Sequence, residues 1–318
     1  AFQLAFLALN VAIGVDFWLF VRHYETGGAF PAVPRPPGVE GWLPIAAVMN
    51  LKVWILTGEL PRLFPAGVLL LTAFLAIAFL FRKAFCSWLC PIGTLSEALW
   101  RLGRRLFGRT FALPRWADVP LRGLKYLVLG FFLWTILPMP VMAIRQFVQS
   151  PYGLVADVKM LDFFRAPSAT ALVVIGVLVA LSLVVQNFWC RYLCPYGALL
   201  GLVASLSPVR IRRDADACTD CGKCAKACPS RLPVDVKASI ASPECTGCLD
   251  CVAACPVSKA LDVSVTRRAR IPAWAFAAGI AAVFLAVVLA ARVTGHWRTD
   301  LPAPIYQQLS PQLERIGH

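Results

Sequence analysis

Twelve cysteines carry most of the chemistry open to this chain, and their spacing says more than their number. Eight fall into two copies of one run: Cys218, Cys221, Cys224 and Cys228 before Pro229, then Cys245, Cys248, Cys251 and Cys255 before Pro256. Gaps of two, two and three residues ending in Cys-Pro are those of bacterial two-cluster ferredoxins, where the fourth cysteine of each run ligates the other run's cluster. Cys218, Cys221, Cys224 and Cys255 are therefore expected to hold one 4Fe–4S cluster, and Cys245, Cys248, Cys251 and Cys228 the second. Soft thiolates suit iron–sulfur, and the tight spacing wraps backbone around one cube with amide N–H groups turned to its sulfurs. A zinc ribbon uses two pairs set further apart. Disulfides disagree with the reducing side of the membrane assigned below.

The other four cysteines belong to an internal repeat. Phe85-Cys86-Ser87-Trp88-Leu89-Cys90-Pro91-Ile92-Gly93-Thr94-Leu95 aligns with Trp189-Cys190-Arg191-Tyr192-Leu193-Cys194-Pro195-Tyr196-Gly197-Ala198-Leu199, 104 residues later. Pro91 and Pro195 suit a first helical position, which places Cys90 and Cys194 at N-caps. There the helix dipole favours a thiolate, the form that binds metal. A parallel repeat implies a pseudo-twofold axis along the membrane normal, with the two cysteine pairs facing across it. Three readings stand for Cys86, Cys90, Cys190 and Cys194. They form a third metal centre such as another iron–sulfur cluster; they are redox-active dithiols or a transient copper site, since thiolates also select Cu(I); or they are unmetallated cysteines buried at span ends.

The elements that position these motifs are membrane helices. Of 318 residues, 59% are hydrophobic and 15% charged, against roughly 45–50% and 25% in soluble domains. Mean hydropathy is +0.69, which excludes a soluble globular enzyme and a disordered or fibrous chain. Five apolar stretches, Ala1–Val21, Pro65–Phe81, Leu124–Ile144, Ala169–Phe188 and Ile271–Ala291, are each long enough to cross a bilayer as a helix. Lys plus Arg against Asp plus Glu runs four to three in segment 22–64, nine to two in 82–125, three to two in 145–168, twelve to seven in 189–270 and three to two from Arg292 onward. The alternation puts segments 82–125 and 189–270 in the cytoplasm and the C-terminus outside. The net charge of +14 follows from this topology and calls for no nucleic acid. Trp42 to Gly58, interrupted by Asn50 and Lys52, reads as an interfacial or re-entrant helix. Four prolines in Pro31–Pro37 make a stiff connector. After Cys90, Leu95, Ala98, Leu99, Leu102 and Leu106 share one helical face opposite Arg101, Arg104 and Arg105, the pattern of a basic helix lying on the inner surface.

The expected fold is an all-α polytopic membrane protein of about five transmembrane helices with a parallel repeat, into which a small α+β two-cluster ferredoxin domain is inserted. Its divisions are a membrane domain over 1–207, a cytoplasmic ferredoxin domain over 208–266, and a final helix with a short periplasmic tail over 267–318. Ala1 is not an initiator Met, so residues are expected upstream. Outside the cysteines, Asp16 sits inside the first span as a candidate proton acceptor from a quinol, or as an interfacial carboxylate. His23 and His296, just outside the first and last spans, are candidate haem b or quinone contacts, or solvated interfacial histidines. No C-x-x-C-H, phosphate-binding glycine loop, dinucleotide fingerprint or nucleophile triad occurs.

Together, the paired C-x3-C-P motifs at the inner face and the two-cluster ferredoxin run that follows resemble the NapH/NosR/CcoG-like family of membrane polyferredoxins, from about Pro65 to Arg270. The plan is closest to NapH-like quinol dehydrogenase membrane subunits. No NosR-type flavin domain is present in these residues, and the tail Thr294–His318 is too short for the outer domain of CcoG-like chains. The resemblance implies an electron-transfer oxidoreductase subunit of a bacterial inner membrane rather than a stand-alone enzyme. It would relay electrons between a quinone pool or cytoplasmic donor and a cytochrome or reductase complex. A copper reductase or maturation factor acting through the C-x3-C-P cysteines is the alternative, and a redox-sensing scaffold a third. Because the hydrocarbon core is about 30 Å thick, a transmembrane path needs a quinone site or a further cofactor, on this subunit or another.

Overall fold

The computed structural model describes residues 2–109, 111, 113–266, 269–301 and 303–309. Ala1 of the first expected span and 310–318 of the expected tail lie outside the described residues. Among the described residues fifteen α-helices run in chain order: α1 Phe2–Glu25, α2 Pro44–Thr57, α3 Pro65–Phe81, α4 Phe85–Trp88, α5 Pro91–Phe107, α6 Arg115–Ile136, α7 Val141–Gln149, α8 Pro151–Leu154, α9 Ala156–Arg165, α10 Ala169–Val184, α11 Pro195–Ser205, α12 Lys223–Ala227, α13 Asp250–Ala253, α14 Ala273–Val293 and α15 Ala303–Leu309. Four short strands, β1 Arg210–Arg213, β2 Ser239–Ile240, β3 Leu261–Ser264 and β4 Arg270–Ile271, form one antiparallel sheet in the order β2-β1-β3-β4.

Among the described residues three helices are long and apolar enough to cross a membrane: α1, α6 from Trp116, and α14; α9 and α10, bent by 76°, make a fourth if taken as one span. The molecule is thus a helical membrane protein with a small ferredoxin region. Helix α3, with 17 residues, is about 25 Å long at 1.5 Å per residue, just under a ~30 Å core.

The third span is displaced from its expected position. In place of Leu124–Ile144, the helix occupies Arg115–Ile136. Pro138 and Pro140 bar continuation, because the residue before a proline is pushed out of the α region. Beyond them Ile144 belongs to α7, where it is buried with Met49, Val53, Phe64, Ile136 and Val148. The helix begins earlier because its first-turn charges find partners: Asp118 pairs with Arg122 and Arg191.

Contacts divide the chain into two compact units. Unit one comprises 1–7, 73–130 and 177–285, and unit two comprises 8–72, 131–176 and 286–318. The chain passes between them five times, inside α1, α3, α6, α10 and α14. Both C-x3-C-P copies and all eight ferredoxin cysteines belong to unit one.

In unit two, the expected interfacial helix is α2. Its polar interruptions are used: Asn50 Nδ2 donates to Leu63 O at 3.0 Å. Lys52 Nζ donates to the Leu137 carbonyl at 2.9 Å and to those of Ile136 and Met139, neutralising the open carbonyl end of α6. Nearby, Arg35 donates to Glu40 at 2.7 Å and to Asp157 at 2.9 Å, with both carboxylates fully buried. The Gly67 amide donates to Glu40 and the Tyr306 hydroxyl to Asp157.

In unit one, α5 wears its apolar face outward. Leu95, Leu102 and Leu106 are exposed while Ser96 and Gly103 are buried, the orientation expected of a helix against lipid. The sheet closes the ferredoxin region. Ile211 of β1 lies opposite Ile240 of β2 and Val263 of β3, all buried, and period-two alternation sends Arg210 and Arg212 to the other face.

Candidate iron–sulfur sites

The second-cysteine loops of the two ferredoxin runs share an unusual backbone. Asp220 and Gly222 flank Cys221 with φ of 49° and 66°, and Gly247 and Leu249 flank Cys248 with φ of 60° and 67°. Two left-handed residues around one cysteine curl the chain and aim successive amides at one point, as in an anion-binding nest. The left-handed conformation recurs at both matched positions, but the side chain that bears its cost differs: Asp220 before the cysteine in the first run and Leu249 after it in the second. Each run then enters a short helix, α12 or α13, before its Cys-Pro.

Two cavities follow. One is lined by Cys228, Cys245, Cys248 and Cys251, with Ile211 and Ile240 of the sheet as its apolar wall. The other is lined by Cys218, Cys221, Cys224 and Cys255. Each cavity thus takes three cysteines from one run and the fourth from the other. The amide of Leu232 points at Cys228 Sγ from 3.4 Å. Burial pushes the Cys251 thiol up to about 12, with Cys245 and Cys228 adding to the shift. The Cys251 sulfur thus resists ionisation on its own and favours a ligand that supplies positive charge.

The two C-x3-C-P copies are built alike. A left-handed residue precedes each copy, Arg82 directly after α3 and Asn187 three residues after α10. A short turn follows, α4 in the first copy and a π turn at Trp189–Leu193 in the second. Cys90 and Cys194 then occupy the N-caps of α5 and α11, with Pro at the first helical positions. Cys194 Sγ accepts from the Gly197 amide at 3.3 Å. A Cβ at Gly93 would stand 2.0 Å from the Cys86 carbonyl oxygen, so no larger residue fits there without moving the cysteine loop.

The four thiols gather. Burial pushes all four up, Cys90 to about 11. Cys86 is raised further by Cys90 and Cys194, and Cys190 by Cys194, Cys90 and Cys86. Tyr196 shares these surroundings, its hydroxyl raised by burial and then by Cys90, Cys86 and Cys194. Yet among the described residues no three His, Cys, Asp or Glu side chains close on a point as one metal ion requires. Thiolates on a single zinc stand about 3.8 Å apart at a Zn–S distance of ~2.3 Å. A polynuclear cluster presents its irons at the corners of a cage and accepts a wider ring of sulfurs. The donor set, four cysteines at each of three places, is the one an iron–sulfur cluster takes.

Several residues that position these sites escape sequence reasoning. Asp118 Oδ1 accepts from Arg191 Nε at 2.8 Å and from the Tyr192 hydroxyl at 2.6 Å; Oδ2 accepts from Arg191 Nη2 at 2.8 Å and from Arg122. The second cysteine loop is thereby clamped to α6. The first is docked on the ferredoxin region: Ser87 Oγ donates to Thr246 O at 2.7 Å and Trp88 Nε1 to Gly247 O at 3.0 Å. Lys125 Nζ donates to both oxygens of Glu244, which precedes Cys245, at 2.7 and 2.6 Å. Asp118, Arg122 and Lys125 sit in an otherwise apolar helix, and intramembrane charge was the available signal.

Asp16, His23 and His296 all belong to unit two. Asp16 is exposed on α1, with no ion pair among the described residues. His23 Nδ1 lies 2.7 Å from the Phe30 carbonyl oxygen, its ring edge-on to Tyr24. His296 lines a cavity of about 520 Å³ with Asn50, Val53, Arg62, Arg145 and Gln149.

Comparison with known proteins agrees with this reading of the cysteines. A family described as a 4Fe-4S binding domain matches residues 63–110 and again 168–214, ranges whose only cysteines are the C-x3-C-P pairs. A 4Fe-4S dicluster domain matches 210–256. YccM of Escherichia coli K12, named for electron transport, is 50% identical over the whole chain and 91% of its own length. The ferredoxin-type protein NapH of the same organism is 26% identical over 67% of this chain and 66% of its own. The regulatory protein NosR of Pseudomonas aeruginosa is 30% identical over 46% of this chain and 20% of its own. No solved structure matches. With its gathered thiols and these relatives, the chain is an iron–sulfur electron-transfer protein of the membrane, and it belongs to the NapH/NosR-like family of membrane polyferredoxins.

Proposed function

We propose that this chain is an electron conduit of a bacterial inner membrane with three 4Fe–4S clusters. The ligands are Cys218, Cys221, Cys224 and Cys255 for the first, Cys245, Cys248, Cys251 and Cys228 for the second, and Cys86, Cys90, Cys190 and Cys194 for the third. When bound, the clusters supply one-electron chemistry without proton transfer. The protein residues bury the thiols, aim amides at them and hold the sites in register. The observation that carries the reading is the docking of Ser87 and Trp88 on Thr246 and Gly247, which joins the first C-x3-C-P loop to a ferredoxin loop by direct hydrogen bonds.

All five apolar helices span the membrane in this reading, supported by five passages of the chain between the units, each inside one of them. In this reading the ferredoxin segment 208–266 is cytoplasmic and the C-terminal tail periplasmic, which the shared location of both lysine- and arginine-rich segments in unit one supports. The partners are the quinone pool or a cytoplasmic donor on one side and a redox complex on the other. The cavity beside His296, about 520 Å³, has the size of a small-molecule site. It offers Asn50, Gln149 and His296 as polar contacts and Val53, Leu63 and Val148 as apolar walls for a quinone head group. Asp16, open on the face of α1, is the proton acceptor assigned to quinol oxidation.

Iron and acid-labile sulfide per anaerobically purified chain test the cluster count. About twelve irons, falling to about eight in Cys86→Ser/Cys190→Ser, are expected. About eight irons in both proteins would overturn the third cluster, and stoichiometric Cu(I) binding lost with the same cysteines would replace it with copper handling.

A further inference from the structure

Buried cations outnumber carboxylates where the C-x3-C-P loop meets the second ferredoxin run. Lys125 is fully buried and gives its ammonium to both oxygens of Glu244. Lys83, its side chain 4% exposed, reaches the same carboxylate only at 4.0 Å. Arg82 is also buried and donates to the neutral carbonyls of Ala204 and Ser242, which leave its charge uncompensated and its Nε unpartnered among the described residues. Among the described residues neither lysine has another acidic partner. Two ammonium groups against one carboxylate leave one positive charge uncompensated.

An unpaired charge in a protein interior is strongly unfavourable, so a balancing anion is required nearby. The fields of Lys83 and Lys125 both reach Cys86 and Cys194. Four thiolates outweigh the charge of an iron–sulfide core, so a cluster held there is anionic, and its potential depends on that net charge and its surroundings. Reduction adds one more negative charge in a low-dielectric site, where a fixed cation is felt strongly.

We infer that Lys83 and Lys125 are positioning residues that raise the reduction potential of the centre held by Cys86, Cys90, Cys190 and Cys194. The inference rests on the cluster reading above. Lys83 is the sharper handle, because Glu244 already neutralises Lys125. Direct coordination by Lys83 is not required; its charge acts through space, so an arginine at the same place conserves the effect.

The experiment is an EPR-monitored redox titration of the full purified chain, wild type against Lys83→Met and Lys83→Arg, with iron counted in each. Cys86→Ser/Cys190→Ser identifies the signal that belongs to the C-x3-C-P centre. If iron is unchanged in that variant, the cluster reading itself fails, independently of any potential. Given that signal, its midpoint is expected to fall in Lys83→Met, to stay in place in Lys83→Arg, and to move more than those of the ferredoxin-run signals. An unmoved midpoint in Lys83→Met with full iron, or an equal shift of every signal, overturns the inference. Should Lys83→Met lose iron, Lys83→Gln keeps a polar group without the charge, and a midpoint there equal to wild type is equally fatal.

Discussion

Asp118→Asn removes one charge from a site where four donors converge on a single carboxylate. Arg191 gives two hydrogen bonds at 2.8 Å, Tyr192 one at 2.6 Å, and Arg122 one more. Asparagine keeps one acceptor oxygen but turns an NH2 toward a guanidinium that can only donate. At least one arm to Arg191 is lost, and Arg191, with a side chain 6% exposed, keeps its charge without a counter-ion. A hydrogen bond to a charged group contributes about 1.5–3 kcal/mol, and breaking a buried pair from one side costs about 3–5. Arg122 is partly solvated and contributes less, so a loss of about 3 kcal/mol is expected, a factor near 150 in the folded-to-unfolded ratio. Denaturant unfolding in a fixed detergent, followed by tryptophan fluorescence, measures it. Because the clamp holds the loop of Cys190 and Cys194, iron should fall toward about eight per chain as the C-x3-C-P cluster is lost while the ferredoxin clusters stay. Asp118→Asn/Arg191→Met, which removes the orphaned charge as well, should recover part of the stability. A loss below about 0.5 kcal/mol, the scale of an ordinary surface change, or a double variant no better than the single one, would refute the clamp.

Three further outcomes follow from the same geometry. Ser87→Ala/Trp88→Phe deletes both bonds to the Thr246–Gly247 backbone and should cost about 2 kcal/mol; faster amide exchange around Thr246 and Gly247 with full iron content is the readout. Gly93→Ala places a methyl against the Cys86 carbonyl and should displace that loop, lowering iron per chain, whereas Gly197→Ala, with its nearest neighbour at 3.6 Å, should be tolerated. Burial raises the Glu40 carboxyl above its ordinary value, with Arg35 and the Gly67 amide pulling against it. A raised folded-state value means its contribution to stability is full below the ordinary glutamate range and is lost as pH rises through the folded value. Stability measured against pH should fall over that window in the wild type and flatten there in Glu40→Gln.

Local pattern was sufficient for much of this molecule. Gaps of two, two and three residues before Cys-Pro named the cysteines that line each ferredoxin cavity, since ligand spacing is set by the reach of a few residues of backbone. Cys-Pro followed by an apolar helical period placed Cys90 and Cys194 at N-caps, because proline excludes itself from later positions in a helix. Positive flanks and apolar runs marked the membrane helices, and Asn50 with Lys52 marked α2 as something other than a span.

Tertiary contacts decided the rest. The third span began nine residues before its expected start, because Asp118 meets Arg191 across 73 positions of chain and makes a charged first turn tolerable. Lys125 and Glu244 are 119 residues apart, and Ser87 and Thr246 159 apart. The gathering of Cys86, Cys90, Cys190 and Cys194 depends on two loops brought together from separate ends of the repeat. Ligand spacing and capping are encoded within one turn of chain. Whether a buried charge or thiol is paired depends on which distant segment folds against it, and no local period carries that information.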